Sequence, residues 1–258
     1  MELPKLKKID PNKPKKKKIL LLADDFRLPS GIGTISREII FNTVHHYDWV
    51  QLGGALKHPE HGQAFDLSAQ VAAETGVADA SVKIIPWNGY GDRNIVMALI
   101  NNERPDAIFH FTDPRYWTWF YAIEHEIRTT YNIPIIYYSI WDDLPYPMWN
   151  APYYASCDLI MGISKQSDNI HREVLTQNGF DVVDYDADVC NADINWNQII
   201  TGFVPHGLNH NTFKPLSQDD AVYKQMYENI KIKNDVDFVV FWNNRNIRRK
   251  QPGDLILA

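Results

Sequence analysis

The chain has only two cysteines in 258 residues, Cys157 and Cys190. They form no Cys-x-x-Cys pair and no zinc-like spacing. That argues against a disulfide scaffold or zinc module and makes a reducing cytoplasm the natural setting, the thiols reading as packed side chains. Long hydrophobic runs are missing too: nothing approaches the roughly 20 apolar residues that span a bilayer. The lysine-rich start leads only into the short run Ile19–Ala23, so no signal peptide is expected. Positive charge is not in excess. A net charge of −6 speaks against general nucleic-acid binding.

What is present is the composition of an ordinary globular protein, 45% hydrophobic and 22% charged, which can bury a sizeable core. Eight lysines fall between Lys5 and Lys18, interrupted by Pro11 and Pro14, so residues 1–18 read as a basic, disordered leader. It is either a solvated tail or a weak contact for anionic lipid, which would make a cytoplasmic protein peripheral to a membrane.

From residue 19 onward, short apolar runs alternate with helical stretches. Ile19–Ala23 is apolar throughout, as in a parallel strand covered on both faces. Further strands are expected at Trp49–Leu56, Val82–Trp87, Ala107–Thr112, Pro134–Ile140, Leu159–Ser164 and Ile199–Val204. Helices are expected from Ile32, around Ile95–Ile100, over Tyr116–Tyr131 and over Lys165–Gln177. This alternation predicts an α/β fold with a doubly wound, mostly parallel sheet over residues 19–204. Residues 181–198 interrupt it with an acidic stretch. Asp184, Asp186 and Asp188 lack the glycine turn and closing glutamate of a calcium loop, so a surface insertion is expected. Residues 205–235 read as a connection, and 236–258 as the opening of a second α/β domain.

Three motifs could carry chemistry. Pro29-Ser30-Gly31-Ile32-Gly33-Thr34 follows the first strand and opens a helix. Gly31 and Gly33 there could admit a phosphate or sugar to the helix N-terminus, or simply form a tight cap. Ser36 replaces the third glycine of a dinucleotide fingerprint, and no Gly-Lys-Ser/Thr of a P-loop follows. The second motif, Pro205-His206-Gly207-Leu208-Asn209, sits where the sheet's carboxyl edge would be, and is either a ligand contact or only a turn. The third, Arg245-x4-Lys250, follows an apolar strand. An arginine and a lysine so placed can hold a diphosphate and neutralise its charge as it leaves, or can be part of a solvated basic loop with Arg248 and Arg249.

Taken in order, these motifs, with Asp158…Ser164 and Phe213-x-Pro215, resemble the retaining GT-B fold glycosyltransferases of family 4, the group 1 transferases. The resemblance covers roughly residues 18–258. Asn244, Gln251, His206 and Asn209 depart from that family's usual residues, and the stretch Tyr138–Asp143 lacks its histidine.

The resemblance implies a nucleotide-diphosphate sugar donor, a glycan, lipid or protein acceptor, retention at the anomeric carbon, and no metal or other cofactor. It implies Arg245 and Lys250 as the diphosphate grip, with Gly31, Gly33, His206 and Gly207 on the donor side. Asp142 would contact the reacting sugar or an acceptor hydroxyl, although Asp142 or Asp143 could equally cap a helix. His110, Asp113, Trp141 and Asp143 are acceptor-side candidates, with His110 alternatively a packed core histidine. The Glu-x7-Glu motif of the donor domain is absent. The expectation is therefore a chain that ends inside the donor domain, transfers little alone, and works with a separately encoded donor domain. Two other readings stay open: a non-catalytic glycan- or partner-binding module, and a nicotinamide-dependent enzyme. Aromatic residues, among them Trp87, Tyr90, Tyr116, Trp117 and Trp149, crowd the acceptor side and suit sugar stacking or ordinary packing.

Overall fold

The computed structural model describes residues 15–185, 198–232 and 238. The described residues fall into two units that divide between His206 and Gly207.

The first unit is built on a nine-stranded sheet: β1 (Lys17–Asp24), β2 (Tyr47–Ala55), β3 (Phe65–Asp66), β4 (Val82–Asn88), β5 (Ala107–Phe111), β6 (Ile135–Ser139), β7 (Leu159–Gly162), β8 (Val182–Asp184) and β9 (Ile199–Phe203). Its order is β3-β4-β2-β1-β5-β6-β7-β9-β8. Every pairing is parallel except that of the edge strand β3 with β4. The α/β doubly wound sheet expected from the alternating pattern is the observed fold.

The helices are α1 (Gly31–Thr43), α2 (Ser68–Thr75), α3 (Arg93–Glu103), α4 (Thr118–Tyr121), α5 (Glu124–Tyr131), α6 (Ala151–Ala155) and α7 (Lys165–Gln177). They cover both faces. Ile19, Leu21 and Ala23 of β1 pack in one core with Ile40 of α1 and Val71 of α2. Leu20 and Leu22 point the other way, into a core with Val96 of α3, Ile127 of α5 and Ile170 and Val174 of α7. A strand buried on both faces must be apolar at every position, which is why Ile19–Ala23 shows no alternation. The chain runs outward from β1 through β2 to β4, then crosses back to β5. Right-handed crossovers therefore put α1 and α2 on one face and α3 to α7 on the other. The direction reverses between β1 and β5, the place where open α/β sheets bind ligands beyond their carboxyl ends.

Four local expectations change. Tyr116–Tyr131 is not one helix: a 3-10 turn (Pro114–Tyr116), α4 and α5 replace it. Trp117, Phe120 and Tyr121 are all buried there, and rings this large and this close in sequence draw the chain around the core instead of along one axis. The basic leader ends earlier than residue 18. Lys17 and Lys18 already pair with β2, and Lys16, Lys17 and Lys18 form ion pairs with Asp79, Asp106 and Glu103. Part of the acidic stretch, Val182–Asp184, is an edge strand beside β9. Finally, α2 and β3 fill a segment in which no element was expected.

The second unit contains α8 (Ala221–Tyr227), capped by the side chain of Asp220, and a following π-helical turn, Glu228–Ile232. No residue of α8 is buried. Apart from Phe238, the expected opening of a second domain at 236–258, with Arg245 and Lys250, lies outside the described residues, as do the acidic residues Asp186 and Asp188 and Cys190. Among the described residues, no helix is long and apolar enough to cross a membrane.

Candidate functional site at the carboxyl edge of the sheet

The loop between β1 and α1 lies at the point of reversal. Ser30 caps α1: its Oγ accepts from the Gly33 N–H at 2.9 Å and donates to the Asp24 carboxylate at 2.8 Å. Gly33 is required by packing, because a Cβ there would come within 2.7 Å of the Asp25 and Leu28 carbonyl oxygens. Gly31 differs. It is exposed, and a Cβ there would meet nothing within 4 Å, so its backbone is open to approach.

Beneath this loop is a buried polar network that no sequence spacing announced. Asp25 is fully buried. It accepts from the backbone N–H, Nε and Nη2 of Arg27, and lies 3.0 Å from His58 Nε2. The Glu60 N–H donates to His58 Nδ1, so Nε2 carries the hydrogen given to Asp25. Arg27 also reaches Glu60 at 2.6 Å. Its hydrogen bonds to Asp25 hold the guanidinium above its ordinary pKa, against the opposing effect of burial. Gln51 accepts from the Phe26 N–H and donates to the Asp24 carbonyl. The loop is thus clamped to β2 and to the segment after it.

An aromatic surface continues from the same point. Tyr90 donates to Asp24 Oδ1 at 3.3 Å and stacks on Tyr116, with ring centroids 5.0 Å apart and planes at 23°. Burial, then the charge of Asp24, raises the pKa of the Tyr90 hydroxyl, which stays a donor. Gly89 and Gly91 flank Tyr90 at φ of 63° and 83°, a left-handed backbone that glycine adopts without strain. The ring lies over Gly54, where a Cβ would stand 2.7 Å from Tyr90 Cδ1. Next to Tyr116, Arg115 is held by both oxygens of Asp113 and places its guanidinium 5.3 Å from the centre of the Trp141 ring. Trp141 meets the exposed Trp149 edge to face.

The expected site residues fall into distinct environments. Asp113 follows β5 at the carboxyl edge and caps the turn Pro114–Tyr116 while gripping Arg115. Trp141 follows β6, half buried, with its indole N–H given to the Asp143 carbonyl. Asp143 accepts from the Leu144 N–H. The Asp142 carboxylate is exposed, while its carbonyl accepts from Gln166. Neither aspartate caps a described helix, since Asn150 precedes α6 and Ser164 caps α7.

His206 follows β9, with Nδ1 3.3 Å from the Tyr138 hydroxyl and its ring against Phe111. Partial burial lowers its pKa. Gly207 opens the second unit, and a Cβ there would meet nothing within 4 Å. His110 takes the packed-core alternative and not the acceptor-side one. It is wholly buried, stacked on Tyr137, with Nδ1 2.7 Å from the Tyr121 hydroxyl. A side chain sealed in that core does not reach an acceptor. Among the described residues, no three His, Cys, Asp or Glu side chains converge as a metal site.

Asp158 and Ser164, the outer residues of the "aspartate–apolar–serine" segment, have structural partners. Asp158 lies before β7, at the opposite edge of the sheet. It accepts from the Ile135 N–H at 2.7 Å and from Arg128. Ser164 caps α7 through the Ser167 N–H. A depression of about 360 Å³ lined by Arg128, Asn132, Ile133, Pro134 and Asp158 lies at that opposite edge.

Neither a family model nor a curated protein sequence matches the chain. A similar solved structure is that of Medicago truncatula UGT71G1 complexed with UDP-glucose. The match has a TM-score of 0.33 and 8% identity, and covers 83% of this chain and 56% of that one. The chain spans little more than half the length of that structure, and so loose a superposition carries no argument about function. The fold class rests on the sheet order itself.

Proposed function

We propose that the chain belongs to a retaining glycosyltransferase that moves a sugar from a nucleotide-diphosphate donor to an acceptor hydroxyl. The observation that supports this most is the common edge. The loop carrying Gly31 and Gly33, Asp113, the segment Trp141–Asp143 and His206 all follow carboxyl ends of strands in one part of the sheet, the neighbours β1, β5 and β6 and, beyond β7, β9. In such an enzyme the bond from the anomeric carbon to the diphosphate breaks, and negative charge grows on the leaving oxygen. Arg245 and Lys250 would neutralise that charge, Arg245 with two parallel hydrogen bonds. Gly31, His206 and Gly207 would face the donor, with Gly33 serving the tight packing of the loop. Asp142, whose carboxylate is exposed, would meet the reacting sugar or the acceptor hydroxyl, with Asp113, Trp141 and Asp143 on the acceptor side.

The test is equilibrium binding of UDP, GDP, ADP and NADH to the full chain, followed by tryptophan fluorescence. One nucleoside diphosphate should bind, and Arg245→Ala and Lys250→Ala should each weaken it by about tenfold or more, a loss of about 1.4 kcal/mol. Preference for NADH, or diphosphate binding indifferent to both substitutions, would overturn the reading.

A further inference from the structure

We infer that Tyr116, Tyr90 and Asp24 form a subsite for a neutral pyranose ring of the acceptor. The inference rests on the transfer reading for its purpose, but the recognition chemistry stands on these residues alone. Tyr116 is 54% exposed, and with one ring face against Tyr90 it offers the other to solvent. A pyranose has a C–H face that packs on such a ring and a rim of hydroxyls that seek acceptors.

Asp24 supplies the acceptor. An ionised carboxylate has about four lone-pair sites, of which Ser30 and Tyr90 occupy two. Those two donors also orient it. Tyr90 in turn is held in place by Gly89, Gly91 and the absence of a Cβ at Gly54, and by the paired hydrogen bonds between Ala55 and Gly89. Packing alone would need a ring at position 90. It would not need a ring whose hydroxyl is turned onto a carboxylate.

Charge decides the class of ligand. Arg115, beside Tyr116, is already held by Asp113, and Arg27 of the same loop by Asp25 and Glu60, so that among the described residues no cationic side chain forms an ion pair with Asp24. An anionic group such as a diphosphate is repelled here, whereas a polyhydroxylic, uncharged ring is not. The surface continues past Arg115 to the Trp141 ring, so it extends in one direction along the sheet edge, as a chain of sugars would.

The experiment is calorimetric and saturation-transfer titration of the full chain with neutral disaccharides: maltose, lactose, cellobiose, chitobiose and mannobiose. UDP forms a separate arm. At least one disaccharide should bind. Tyr116→Ala and Asp24→Asn should each weaken it by about tenfold, while Tyr116→Phe retains it. Tyr47→Ala, which removes an exposed ring at the amino end of β2, should leave it unchanged. Thermal unfolding of each variant separates lost binding from lost fold. Binding of none of the five sugars, equal binding by Tyr116→Ala, or displacement of the sugar by UDP would overturn the subsite. Retained sugar binding with no nucleotide binding would instead remove the donor reading and leave the subsite standing.

Discussion

His58 Nε2 lies 3.0 Å from Asp25 Oδ2, and both side chains are shut away from solvent. The two residues belong to different loops: Asp25 directly follows β1, and His58 comes three residues after β2. Their hydrogen bond ties together the two loops on one side of the sheet's reversal point, and Arg27 completes the charge balance.

Removing His58 should therefore loosen the β1–α1 loop before it unfolds the sheet. His58→Ala deletes a donor to a buried carboxylate, a bond type worth about 1.5–3 kcal/mol. It leaves Arg27 to hold Asp25 from a half-buried position. The expected result is a loss of about 2 kcal/mol in urea unfolding, with amide exchange of Phe26 to Gly33 accelerated more than that of β6 or β7. Uniform acceleration, or no change in stability, would show that the Asp25–Arg27 pair holds the loop unaided.

Asp158 gives a contrasting case, because its segment was read as part of a functional motif. It lies at the sheet edge opposite the candidate site and joins the first backbone N–H of β6 to Arg128. Asp158→Ala leaves that buried N–H without its acceptor and Arg128 with Glu124 and the Ser156 carbonyl only. The expected cost is about 3 kcal/mol, with disaccharide and nucleotide affinities unchanged once the protein is folded. A weakened ligand affinity in the folded variant would contradict a purely structural role.

These two residues show what could be read in advance. The apolar run of β1, the helix Lys165–Gln177 and the succession of strands and helices along the chain were legible because each is a local signal: unbroken apolarity, a 3.6-residue period and alternation. Tyr90 was legible only as one of many aromatic residues suited to sugar stacking or to packing. The Asp25–His58 pair was not. Its members are 33 residues apart, and only the parallel register of β1 with β2 brings their loops together. The break of Tyr116–Tyr131 was hidden for a related reason. Its aromatic rings satisfy a helical pattern locally, and only the shape of the core decides that Trp117, Phe120 and Tyr121 must all be inside. His110 had two readings, an acceptor contact or a packed core histidine, because it lies near the carboxyl end of β5. Its orientation toward Tyr137 depends on which face of β5 the helices α4 and α5 cover.

Two buried histidines make the stability of the fold depend on acid. His110 and His171 are fully buried, and burial lowers the pKa of each to about 3. Among the described residues, neither ring nitrogen of His171 has a hydrogen-bond partner, and neither does His110 Nε2. In the unfolded chain both would titrate near 6.5. Between pH 6.5 and 3 the unfolded state therefore binds more protons than the folded one, so stability is complete above this window and falls as pH drops through it. Each histidine contributes a slope of up to about 1.4 kcal/mol per pH unit. The urea midpoint should accordingly be flat near pH 8 and decline steadily from pH 6.5 to 5, a range in which ordinary carboxylates remain ionised. In His171→Phe, which keeps a ring against Tyr154, the decline should be about half as steep. An unchanged slope in that variant would mean that the acid sensitivity comes from elsewhere, with the partly buried His206, whose pKa is shifted in the same direction, the next residue to replace.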